Sequence, residues 1–185
     1  MNQVSLNWKW IRSGIILLSL GWLIFSGFTA QQHQVNIGQL AQKGFPAPDF
    51  SLDNTAGFEV RLNDFKGKTI ILNFWATWCP PCKAEMPDLQ SVHNLLNQQE
   101  VVILGINQTN QDNPADVEAF IQSQGLTFPI LLDLSGEISS LYNVSALPTT
   151  LFIRPDGVIH KIIVGGPLPE ALILAEIQQI SQGIP

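Results

Sequence analysis

The chain has 185 residues, 45% of them hydrophobic and 13% charged, with a formal net charge of −6. So few cations on an acidic chain argue against nucleic acid as a partner. Its two cysteines and three scattered histidines (His33, His93, His160) argue against a metal centre, since a zinc site needs four suitable ligands.

In chain order, Trp8, Lys9, Trp10 and Arg12 precede Gly14 to Ala30, an uncharged stretch rich in large apolar side chains. A basic flank followed by an apolar segment close to the ~20 residues that span a bilayer is the layout of a signal anchor. Lys9 and Arg12 lie on one side of it, and no full charge follows until Lys43. Residues 1–12 are therefore expected in the cytoplasm, 13–30 across the lipid bilayer, and the rest on the extracytoplasmic side. Phe28-Thr29-Ala30 is a poor match to a small-residue cleavage site, so the anchor is expected to be retained. Residues 31–44 are polar and Gln-rich and read as a tether, leaving 45–183 for one folded domain of ordinary core size.

Phe50-Ser51-Leu52 and Phe58-Glu59-Val60 flank the turn signals Asp53-Asn54 and Gly57, which predicts a hairpin. Ile70 to Trp75 is an apolar run short enough for a buried strand. Leu89, Val92, Leu95 and Leu96 then recur at helical spacing. Cys79-Pro80-Pro81-Cys82 falls at the junction and holds both cysteines of the chain, three residues apart. A structural bridge gains most by closing a longer loop, so this spacing reads as a reversible dithiol. Cys79 at the start of a helix meets unpaired N–H groups and the positive end of the dipole, which favour the attacking thiolate. Pro80 and Pro81 suit the first turn, where a missing N–H costs little, and Pro87 is expected to kink the helix.

The run from Leu72 through Trp78-Cys79-Pro80-Pro81-Cys82, with Pro87 inside the helix, resembles the active site of thioredoxin-fold proteins. With the anchor, it is most similar to the membrane-anchored TlpA/ResA-like thiol–disulfide oxidoreductases, over about Phe45 to Gln182. Glu85, three residues after Cys82, reads by residue type as a solvated surface glutamate. The resemblance instead implies an acid that exchanges protons with Cys82. Asn73 stands where cytosolic thioredoxins carry a buried aspartate, and an amide cannot take up that proton, which raises the importance of Glu85. Trp75 is expected in the core, and Trp78 on the rim as a substrate contact beside Pro80 and Pro81.

Further along, Val101 to Ile106 predicts a second buried strand. Asn113, Pro114 and Asp116 mark a helix start, Val117, Phe120 and Ile121 its inner face, and Gly125 its stop. A strand over Phe128–Leu132 and a short helix near Glu137–Tyr142 follow. Thr149 to Ile153, the turn Pro155-Asp156-Gly157 and Val158 to Val164 predict a closing hairpin, and Pro169 opens a last helix bearing Ile173, Ile177 and Ile180. This alternation predicts an α/β domain with a mixed sheet between helices. The resemblance makes it a thioredoxin fold with an N-terminal hairpin and an inserted strand–helix unit at about Gly105 to Asp133. It also implies a cis peptide at Pro148, facing the dithiol, with the backbone of Leu147 left to pair with an extended substrate. His93 and His160 read as surface or packing residues.

The implied reaction needs no cofactor. Cys79 attacks a substrate disulfide, and Cys82 then resolves the mixed disulfide. Electrons come from a second dithiol, expected on a membrane protein, and the resemblance suggests an apocytochrome c as substrate. The rival readings are a disulfide oxidase or isomerase of secreted proteins, a membrane-tethered binding module for thiol proteins, and, at greater distance, a peroxidase.

Overall fold

Thr69 to Trp75 forms the central strand of the sheet, and every one of its residues is buried. Both of its faces are covered, which is why the sequence there is mostly apolar, without polar alternation, apart from Thr69 and Asn73. The computed structural model describes residues 41–96 and 100–183. In chain order the elements are β1 (Ser51–Asp53), β2 (Glu59–Arg61), β3 (Thr69–Trp75), α1 (Pro80–Leu95), β4 (Val101–Asn107), α2 (Pro114–Gln124), β5 (Ile130–Leu132), α3 (Glu137–Leu141), β6 (Thr149–Ile153), β7 (Ile159–Val164) and α4 (Glu170–Ser181).

The main sheet has the order β5-β4-β3-β6-β7, with β3, β4 and β5 parallel and β6 and β7 antiparallel. β1 and β2 form the expected hairpin, which reaches β5 through a bridge between Asn54 and Leu131. Ile71 and Trp75 pack with α1, α2 and α4 on one face; Ile70, Leu72 and Phe74 pack with the hairpin side, Ile138 and Tyr142 on the other. Trp75 is fully buried, and its indole N–H has no hydrogen-bond partner among the described residues. Burying about 200 Å² of indole is worth about 5 kcal/mol, more than the roughly 1–3 kcal/mol cost of that orphaned donor, so the core keeps it. Gly105 makes room beside it: a methyl there would sit 2.6 Å from Ile130 Cδ1.

Local signals set most of these elements. Asn113 caps α2 by accepting the Ala115 N–H at 3.0 Å, and Gly125 ends it at φ 62°. Two expected boundaries differ. β5 begins at Ile130, not Phe128, because Pro129 has no N–H to donate and its carbonyl accepts from Gly105 at the mouth of the sheet. β7 begins at Ile159, where the register against β6 shifts between Phe152 and Ile153.

The expected span at 13–30 and most of the tether lie outside the described residues. Among the described residues no helix is long and apolar enough to cross a membrane. The last part of the expected tether already belongs to the folded body. Ala41 is buried, its N–H donates to Leu141 O, and the Gly44 N–H donates to Ile159 O at 2.8 Å.

Candidate active site

β3 runs into α1 through a tight turn, closed by the Cys79 N–H donating to Ala76 O at 3.2 Å. Cys79 is the N-cap of α1, in extended backbone at φ −92° and ψ 106°, and Pro80 and Pro81 occupy the first helical positions. The helix continues through Pro87 to Leu95. Cys79 Sγ accepts the Cys82 N–H at 3.3 Å and is joined to Cys82 Sγ in a disulfide whose Cα atoms lie 5.3 Å apart. Cys79 keeps 4% of its surface accessible and Cys82 none. The expected exposed thiol is thus a narrow opening, because the bond folds Cys79 Sγ down onto the first turn of the helix. Of the two sulfurs, only that of Cys79 belongs to a residue with accessible surface, and it lies at the helix end where a thiolate is favoured.

Glu85 does not sit at the surface. The residue has 0% accessible surface, and among the described residues no cation pairs with it. One face of α1 points at the sheet, so three residues on from Cys82 returns to the buried side. Asn73 Nδ2 on β3 donates to Glu85 Oε1 at 2.6 Å, and the Leu168 backbone N–H donates to Oε2 at 2.9 Å. Burial pushes the carboxyl above its ordinary range; the two hydrogen bonds oppose that shift and the neighbouring Asp88 charge adds to it. Asn73 Nδ2 also donates to Thr150 Oγ1 at 3.0 Å, while its own Oδ1 is buried with no hydrogen-bond partner among the described residues.

The Leu147–Pro148 peptide is cis. Pro148 O accepts the Gly165 N–H at 2.7 Å, and Thr149 pairs with Val164, so the proline loop and the end of β7 are one unit. A second cis peptide, Gly166–Pro167, escaped the sequence reading. A methyl on Gly166 would lie 2.6 Å from Glu85 Oε2 and 2.7 Å from Pro148 Cγ. The segment Gly165 to Leu168 therefore touches both the buried acid and the proline loop.

Among the expected substrate contacts, Trp78 is 53% exposed, Pro80 is exposed, Pro81 and Leu147 are half-buried, and Pro148 is buried. Trp78 is nevertheless fixed: its Nε1 donates to Gln111 O at 2.9 Å. His93 packs against Phe128 with ring centroids 6.0 Å apart, and His160 is buried in the edge strand. The register shift leaves His160 as an extra residue, so His160 and Lys161 both reach the buried Glu176 of α4, at 3.5 and 2.6 Å. Nothing local in the sequence announces this cluster, which joins β7 to α4.

The AhpC/TSA family profile matches residues 44–162. The thiol-disulfide oxidoreductase ResA of Geobacillus kaustophilus (strain HTA426) is 38% identical over 151 residues, covering 82% of this chain and 82% of that one. Among solved structures, a thiol:disulfide interchange protein of the thioredoxin family from Chlorobium tepidum TLS superposes with a TM-score of 0.68 at 28% identity, over 77% of this chain and 99% of that one. The pneumococcal exposed lipoprotein thioredoxin Etrx1 of Streptococcus pneumoniae strain TIGR4 gives 0.62 at 30% identity, over 73% of this chain and 99% of that one.

Proposed function

The chain belongs to the AhpC/TSA family and is a thiol–disulfide oxidoreductase of the ResA type with a thioredoxin fold, and from that premise we propose that it works as a reductant of protein disulfides outside the cytoplasm. The observation that carries the proposal is a Cys79–Cys82 disulfide at the start of α1, in which Cys79 is the one of the pair that keeps any accessible surface. In the reduced protein Cys79 attacks a substrate disulfide as the thiolate. A mixed disulfide forms and one substrate thiolate leaves. Cys82 passes its proton to Glu85 and attacks Cys79 Sγ, releasing the second substrate thiolate and leaving Cys79–Cys82 oxidised. Two electrons have then passed from the dithiol to the substrate, and a second dithiol, on a membrane protein, restores them.

Leu147 and Pro148, with Trp78, Pro80 and Pro81, form the proposed substrate cradle, in which the Leu147 backbone pairs with an extended segment. An apocytochrome c with oxidised haem-binding cysteines is the proposed substrate. The proposed setting is a single-pass anchor at 13–30, supported by the basic flank of that segment, with the domain on the outer side, a placement in keeping with the exposed-lipoprotein description of Etrx1.

The equilibrium reduction potential of Cys79–Cys82 in the full chain tests the direction of electron flow. A value below about −250 mV supports a reductant fed from the membrane, whereas a value near about −120 mV overturns it in favour of disulfide formation.

The cradle carries its own test. Gly166→Ala presses a methyl on Glu85 Oε2 and on the Pro148 ring, and overpacking of this kind costs about 1–3 kcal/mol, enough for roughly a tenfold rate loss. The expected outcome is a folded protein whose turnover of a disulfide-bonded protein falls about tenfold. Wild-type turnover in this variant would remove Gly165–Leu168 from the working site.

A further inference from the structure

The turn that delivers Cys79 is not held by its own strand and helix alone. Asp112, just before α2, accepts four hydrogen bonds: from the Thr77 backbone N–H at 2.6 Å, Thr77 Oγ1 at 2.5 Å, Asn107 Nδ2 at 2.9 Å and the Asn113 backbone N–H at 2.9 Å. Thr77 is 35 residues away in sequence and two before Cys79. The Asn107 amide is itself fixed, since its Oδ1 accepts from Thr109 Oγ1 at 2.9 Å. Two more bonds join the same segments: Trp78 Nε1 to Gln111 O at 2.9 Å, and the Gln108 N–H to Trp75 O at 3.0 Å. Every residue of the turn between β3 and Cys79 that offers a side-chain donor is thus bound to residues 108–112.

We propose that Asp112 is a positioning residue for the dithiol, and that the strand–helix insertion from Gly105 to Asp133 serves as a brace that holds the Thr77-Trp78-Cys79 turn in its reactive geometry. A half-buried carboxylate with four donors has no acceptor-only substitute: an amide places an N–H against at least one of them, and alanine removes the acceptor from all four, the Asn113 N–H alone lying at an exposed residue. Burial pushes the Asp112 carboxyl up, but the donors from Asn107, Thr77 and Asn113 outweigh it and hold the group below its usual range. The brace therefore stays ionised and closed across the whole neutral range. It fixes Trp78 as a rigid platform although half of the residue faces solvent, and it sets where Cys79 Sγ sits relative to the Cys82 N–H, the first that α1 offers, which donates to it at 3.3 Å. That N–H and the positive end of the helix dipole are what stabilise the thiolate, so a slack turn loses reactivity without losing the fold.

The experiment compares Asp112→Ala, Asp112→Asn and Thr77→Val with wild type, each reduced, full-length and folded by circular dichroism. Gln90→Ala serves as the control, because it removes the bonds that tie α1 to Thr127 far from the turn. Two readouts are taken: the pH dependence of Cys79 alkylation by iodoacetamide, and the rate constant for reduction of a disulfide-bonded protein. The expected result is an alkylation midpoint displaced toward higher pH and an exchange rate lowered about tenfold in both Asp112 variants. Thr77→Val should show a smaller loss of the same kind, Thr77→Ser should restore wild-type values, and Gln90→Ala should leave both readouts unmoved. If either Asp112 variant fails to fold, Thr77→Val against Thr77→Ser decides the matter. Alkylation midpoints and rates within twofold of wild type in the folded variants overturn the proposal, as does an equal change in Gln90→Ala. Because alkylation reads Cys79 alone, the proposal can fail while the reductive function stands, and hold if that function is wrong.

Discussion

Cys82→Ser is expected to turn the protein into a trap, retaining its substrate as a covalent adduct on Cys79 and losing turnover by about 10³-fold or more. Cys79 can still attack, because its position at the head of α1 and the Cys82 backbone N–H, donated to Sγ at 3.3 Å, do not depend on the second thiol. The step that fails is resolution. A serine hydroxyl does not displace a sulfur at neutral pH, and the wild-type resolving thiol owes its speed to being held one helical turn away. A well-oriented intramolecular group acts at an effective concentration of many molar, while external thiols reach the site at about millimolar levels. Mass spectrometry under non-reducing conditions should show an adduct equal to chain plus substrate, absent in Cys79→Ser. Undiminished turnover in Cys82→Ser would mean that the pair is incidental and that the chain works as a docking module for thiol proteins.

What the sequence discloses here divides by range. The capping of α2 by Asn113 and its end at Gly125 were legible because each depends on atoms within a few residues. The burial of β3 was legible for the same reason, since a short, mostly apolar run without alternation fits a strand covered on both faces, although the buried Asn73 within it was not explained by that pattern. The dithiol needed only its spacing. Glu85 is the opposite case. Its partners are Asn73, 12 residues away, and Leu168, 83 residues away, so only the folded chain distinguishes a buried acid from a surface one. The bond from Asp112 to Thr77 and the cluster at Glu176 were hidden likewise, the second by a one-residue shift that no periodicity records. The cis form of Pro148 came from the resemblance, because its own dipeptide favours trans.

Glu85→Gln should make the oxidised protein more stable at pH 8 and, in its reduced form, a poorer catalyst. The carboxyl is buried and raised above its ordinary value of 4.5, so between that value and its raised one the folded state binds a proton that the unfolded state has released. Stability therefore falls as pH climbs through that window, and above it the full cost of an ionised carboxylate with no accessible surface is present. A neutral glutamine escapes that cost. Its carbonyl can accept the Leu168 N–H, and the Asn73 amide can turn to meet its NH₂ with the Oδ1 that otherwise lacks a partner. The two proteins should melt together near pH 4, where Glu85 is protonated, and separate at pH 8 with the variant higher. Catalysis runs the other way. The carboxylate is the form that takes the Cys82 proton, so the wild-type rate of mixed-disulfide resolution should rise with pH through the raised value. The glutamine variant should lose that limb and about 10²-fold in rate. Single-turnover kinetics across pH, set beside thermal melts of the same samples, give both signs. A variant that is both slower and less stable at pH 8 would reduce Glu85 to a structural anchor, whereas opposite signs identify a group kept in the core at a cost to the fold because the dithiol needs it.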